Sequence, residues 1–103
     1  MNLEIKGIHY EVTERTTEQI EKKAKKIEFA SDMIIDLLFR IEWDKGVYII
    51  SVTINFRWGL SHYIKVENHD LYEGIDKIME KIKNKVKKEK EKIKDYSEKE
   101  KPL

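Results

Sequence analysis

The chain has 103 residues, 40% of them charged and 40% hydrophobic, and a net charge of +1 at pH 7. That length fits one domain around one core, and the absence of cysteine excludes a disulfide framework, a thiolate nucleophile and a Cys-based metal site. No apolar run is long enough to span a bilayer, and the opening MNLEIKGIHY is too charged for a secretory signal, so a cytoplasmic protein with no membrane association is expected.

Residues 3–10 read as a strand with Leu3 and Ile5 on one face. Gly7 breaks the alternation and suggests a bulge. Thr13 suits a helix N-cap, with Glu14 in the first turn, and the helix is expected to run to Glu28. Its inward positions are Thr16, Ile20, Ala24 and Ile27, a thin stripe that needs a sheet to lie on. Lys22, Lys23, Lys25 and Lys26 face outward among glutamates. Glu18 with Lys22, and Glu21 with Lys25, are supporting i,i+4 pairs.

Residues 33–43 carry the strongest strand pattern. Ile35, Leu37, Phe39, Ile41 and Trp43 alternate onto one face, with Ile34, Asp36, Leu38, Arg40 and Glu42 on the other. Asp44-Lys45-Gly46 signals a tight hairpin. In 47–56, Tyr48, Ile50, Val52, Ile54 and Phe56 face the core. Arg57-Trp58-Gly59 turns the chain into a fourth strand over 60–67, where Ile64 and Val66 are the surest core residues.

Residues 70–94 then predict a long helix. Leu71, Ile75, Ile78, Met79, Ile82 and Val86 form one stripe, and Asp70 with Glu73 suggests a capping box. The stretch 77–94 holds nine lysines and three glutamates. Its surplus is +6, which leaves 1 − 6 = −5 for the remainder. The order is β-α-β-β-β-α: a two-layer α+β domain over 1–96, a four-stranded sheet with both helices on one face, and a disordered tail over 97–103.

Enzyme chemistry has little to stand on. His9, His62 and His69 lie in separate segments without metal-ligand spacing, and no glycine-rich phosphate loop or serine elbow exists. The expectation is no enzyme, no cofactor, no metal and no small-molecule substrate. A basic helix on a mildly acidic body points to an anionic partner, and nucleic acid is the better candidate. Trp43, Tyr48 and Phe56 fall on core faces, which favours phosphate contact over base stacking; Trp58 and Tyr63 are the possible exceptions.

The opening IKGIHYEVTERTTEQIEKKAKKIE, the central strand pair and HDLYEGIDKIMEKIKNKVKKEKEKIK together resemble the ribosome hibernation promoting factor family, over residues 3–94. The resemblance implies a domain that binds the small ribosomal subunit through rRNA, in the channel used by mRNA and tRNA. Such a domain inhibits translation sterically under stress or in stationary phase. Family basic positions match Lys23, Lys26, Lys81 and Lys88, and Tyr72 matches the family tyrosine. With their neighbours, the expected rRNA-binding set is Lys22, Lys23, Lys26, Lys77, Lys81, Lys85 and Lys88. Asn84 and Thr17 stand where relatives commonly carry arginine, so contacts are expected to shift onto neighbouring lysines. The strand leading to the last helix is about one residue longer than in relatives, which leaves the facing of His62 and Tyr63 open. The chain resembles the short form, without the linker and second domain of longer members. Two other readings are a double-stranded RNA-binding-like module and a helix-mediated protein interaction domain. The first places basic residues at the start of the last helix, where this chain has Asp70 and Glu73. The second needs an apolar seam beyond Val86, where only Ile93 offers one.

Overall fold

The computed structural model describes residues 1–100, with side chains to Lys92. Its elements are β1 (Asn2–Ile8), α1 (Glu14–Ala24), a 3-10 helix (Lys25–Ala30), β2 (Ile34–Asp44), β3 (Val47–Phe56), β4 (Ser61–Asn68) and α2 (Leu71–Glu100). The sheet order is β1-β2-β3-β4. β1 runs parallel to β2, and the other two pairs are antiparallel. This is the expected β-α-β-β-β-α plan. α2 continues to Glu100, into the segment expected to be a loose tail; 101–103 lie outside the described residues.

Thr13 caps α1 as its chemistry suggests: its hydroxyl accepts from the Thr16 amide at 3.2 Å. Thr16 is buried, and its own hydroxyl meets the Tyr10 hydroxyl at 2.7 Å. The α-helix stops at Ala24 rather than reaching Glu28. The chain tightens there because Ala24, Ile27 and Ala30 are all buried and lie three apart. A three-residue turn stacks such positions in one line, whereas an α-turn rotates them away.

Gly7 sits in regular register with Ile41, so it marks no bulge. The chain folds back through His9, at φ 51°, and brings the Tyr10 carbonyl onto Gly7. A Cβ there would collide with that backbone oxygen. The bulge lies instead in β2, between Ile34 and Asp36. It reverses the expected facing at the strand's start: Ile34 is fully buried and Ile35 is 47% exposed. Trp43, expected in the core, is half out of it and leans on Tyr48 with ring centroids 4.7 Å apart. Lys45 and Gly46 both take positive φ, 47° and 84°, which makes a two-residue hairpin whose twist suits the flanking strands.

The core is one cluster between the sheet and the helices. All six stripe residues of α2 are buried, four of them completely. Gly74 belongs to the same contact. A Cβ would lie 2.6 Å from Ile50 Cδ1, so the missing side chain lets the first turns of α2 settle onto β3.

Two substitutions test this packing. Ile78→Asp buries an unpaired carboxylate among apolar groups, a cost of several kcal/mol against a total stability of about 5–15 kcal/mol. Loss of the cooperative thermal transition is expected. Gly7→Ala is expected to fold but to lose about 1–3 kcal/mol in denaturant melts, because the obstacle is backbone and must shift.

Candidate nucleic-acid interface

α2 is fixed at its start by side-chain caps. The Asp70 carboxylate accepts from the amides of Tyr72 at 2.9 Å and Glu73 at 3.1 Å. The Asp70 amide donates to the Asn68 side chain at 2.8 Å, so the reciprocal half of a capping box does not form. Glu73 turns outward and pairs with Lys77 at 3.5 Å. Arg15 of α1 stacks over the Tyr72 ring at 4.9 Å. Tyr72 therefore has a packing role between the two helices.

With the stripe buried, the helix period decides which lysines flank the sheet. Lys81, Asn84, Lys85 and Lys88 face residues 62–65 of β4 across a groove of about 430 Å³. A second hollow of about 510 Å³ continues it toward the start of α2, sharing Lys65 and Lys81 and adding Lys77 and Glu80. The result is a trough along the β4 edge with basic side chains on both banks. Lys81 and Lys88 are seven residues apart, about 10 Å along the axis. Among the described residues neither makes an ion pair.

Lys85 differs. Its ammonium lies 2.9 Å from Glu89, whose carboxylate also receives Lys92 at 3.5 Å. Glu89 is only 5% exposed. Burial alone would raise its carboxyl. The hydrogen bond and charge of Lys85, joined by Lys92, outweigh burial and hold it below the ordinary 4.5. His62 stands on the helix side of β4, half-buried beside this pair. Burial and the positive charge of Lys85 and Lys92 hold its imidazole below 6.5, against the opposing pull of Glu89. The shift favours the neutral imidazole.

The expected basic set divides in three. Lys81, Lys85 and Lys88 line the main groove, and Lys77 lines its extension. Lys23 turns toward α2 and pairs with Asp76 at 3.1 Å. Lys22 and Lys26 are exposed on the first helical segment, away from the groove lining. The groove also has members outside the expected set, Lys65 and His62, and Glu89 stands behind it as the partner of Lys85. Lys65 was visible as a cation on an edge strand. Glu89 was visible as the next inward position after Ile82 and Val86, where a carboxylate is unusual.

A family model described as sigma 54 modulation protein / S30EA ribosomal protein matches residues 3–94. The ribosome hibernation promoting factor of Escherichia coli (strain K12) is 28% identical over 96 residues, covering 93% of this chain and all of that protein. Its namesake from Salmonella typhimurium is 27% identical over the same span. Among solved structures, a ribosomal subunit interface protein from Coxiella burnetii superposes with a TM-score of 0.80 at 22% identity, over 87% of this chain and 98% of that one. The N-terminal domain of Protein Y from Thermus thermophilus gives 0.76 at 20% identity, over 85% and 98%. These two likenesses share the fold.

The Lys85–Glu89 pair makes a pH prediction. The folded carboxyl titrates lower than the unfolded one, so its stabilisation is complete above about pH 4.5 and is lost as pH falls through the lower folded value. Glu89→Gln is expected to melt below wild type at neutral pH, with the gap closing in acid. A gap that stays constant down the acid limb would mean that the pair contributes nothing by charge.

Proposed function

The chain belongs to the sigma 54 modulation protein / S30EA ribosomal protein family, and from that premise we propose that it binds rRNA of the small ribosomal subunit and idles the ribosome by occupying the mRNA and tRNA channel. The observation that carries this reading is the trough between α2 and β4. It presents Lys81 and Lys88, which make no ion pair among the described residues, with Lys85 held between them and Lys65 on the opposite bank. Ammonium groups at fixed spacing on a packed helix suit phosphates along a folded backbone, and they need no base contact to do so. Lys77 and Lys23 have exposed or half-exposed carboxylate partners. Such pairs are worth little in water, so phosphate can replace the carboxylate at small cost. Lys22 and Lys26 give the first helical segment a separate basic edge for a second contact.

The names of the relatives, ribosome hibernation promoting factors and a ribosomal subunit interface protein, support the same target. Inhibition follows from occupancy alone: a domain seated where tRNA and mRNA pass excludes them without chemistry. The double-stranded RNA-binding-like alternative fits less well, because α2 begins with Asp70 and Glu73 rather than with cations.

The test is binding of Lys81→Gln/Lys88→Gln to purified small subunits across a salt series. Both residues are exposed, so stability should stay within about 0.5 kcal/mol of wild type. Affinity should fall, and the slope of log K against log salt should flatten by about 1.5, from roughly 0.7–0.9 per phosphate lost. Lys45→Gln, in the β2–β3 hairpin, is the control and should change neither. Wild-type protein in excess should displace tRNA from the subunit. Inhibited translation with undiminished tRNA binding would rule out occupancy.

A further inference from the structure

Both helices cover one face of the sheet, and the other face is open. Its side chains fall into rows set by the strand register. Lys6 lies beside Arg40, Arg40 opposite Ser51, and Ser51 opposite Lys65. One row across all four strands therefore carries three cations around a hydroxyl, within three strand spacings of about 4.8 Å each. The next row runs Glu4, Leu38, Thr53, Tyr63. Seven of these eight residues, all but Lys65, line a hollow of about 310 Å³. Tyr63, 61% exposed, forms one wall of it.

Charges on edge strands commonly guard against strand-to-strand association. That accounts for Lys6 on β1 and Lys65 on β4. It does not account for Arg40, which lies on interior β2 next to another cation. Adjacent like charges across a strand pair cost stability unless an anion joins them. Among the described residues, Lys6 and Arg40 have no carboxylate partner, and Lys65 has only the exposed Glu67 at 3.6 Å. Tyr63 also lines the trough on the helix side. The two surfaces thus meet at the β4 edge.

We propose that the open sheet face is a second RNA subsite, where an unpaired rRNA nucleotide stacks its base on Tyr63 and sets its phosphate on the Lys6–Arg40–Lys65 row. The proposal rests on the small-subunit reading above and extends it from phosphate contact to single-stranded recognition. Stacking on an aromatic face is tolerant of base identity, while Ser51 and Thr53 offer hydroxyls below. The footprint is short, one or two nucleotides. Asp36 lies on one side of the two rows and Glu42 with Glu67 on the other, and they repel a longer backbone.

Fluorescence anisotropy of a labelled single-stranded RNA octamer, with an RNA duplex of the same length, tests the proposal. Tyr63→Leu should weaken octamer binding about tenfold and leave the salt slope unchanged, as loss of one stacked base does. Tyr63→Phe should bind as wild type. Arg40→Gln should flatten the slope by about one contact's worth. Arg40→Gln should leave duplex binding unchanged, and Tyr63→Leu should weaken it far less than it weakens octamer binding. On small subunits freed of mRNA, Tyr63→Leu should again bind more weakly. An octamer affinity untouched by Tyr63→Leu, an equal loss on the duplex, or a loss seen only on subunits carrying mRNA would each overturn the proposal. Failure of the small-subunit reading has a separate signature: Lys81→Gln/Lys88→Gln would bind subunits as wild type does.

Discussion

The structure depends on burial of the α2 stripe against a sheet that has only one apolar face. Leu71, Ile75, Ile78, Met79, Ile82 and Val86 leave the helix no rotational freedom once they are inside. A rotation of one residue, about 100°, would drive lysines into the core. The lysine positions are therefore consequences of the stripe. Lys77, Lys81, Lys85 and Lys88 line the β4 edge because the apolar residues are elsewhere. Gly74 sets the height of the helix above β3 in the same way, by omitting a side chain that Ile50 would strike.

Glu89 shows the inward series continuing beyond its apolar part. It occupies the position after Val86 and is nearly as buried, but it is a carboxylate. A buried charge persists only when paired, and the pairing is local: Lys85 one turn before it and Lys92 three residues after. The pair has an electrostatic cost for an anion site, because one negative charge lies behind the groove. In return, Lys85 is held at the groove wall instead of sampling many rotamers. Burial, joined by the charges of Lys85 and Lys92, lowers the pKa of His62, so the β4 side of the groove wall favours a polar ring over a further cation.

Most of the fold was legible from periodicity. The element order, the α2 stripe, the Thr13 cap and the hairpin at Lys45-Gly46 follow from spacing and turn chemistry that act over a few residues. The misplacements share a cause: each was decided by a contact distant in sequence or by a local adjustment that leaves the alternation looking regular. Ile35 reads as inward until the β2 bulge shifts it. Gly7 reads as a bulge until Tyr10 folds back onto it. The end of α1 is set by three buried residues in a line that only the core can select. The lysines were legible as a set but not as a site, since their meaning lies in what stands opposite them. Lys65 and His62 belong to a different strand, and Lys23 finds its partner Asp76 across two helices.

A lysine surface of this kind distinguishes targets by geometry. Each ammonium contributes the same sequence-independent attraction, and each long side chain loses rotamer freedom on binding. Selectivity then comes from spacing, and spacing is reliable only if the backbone carrying the charges is rigid. Here the rigidity is that of the core: the residues that hold α2 to the sheet also hold Lys81 and Lys88 about two turns apart on one bank and Lys65 on the other. A flexible basic tail with the same lysines would bind any nucleic acid with the same salt dependence. The wall is not uniformly basic: Glu67 and Glu80 line the extension of the trough beside Lys65 and Lys77. On a rigid edge of this kind, alternating cations and carboxylates favour a polyanion whose charges match the cation spacing.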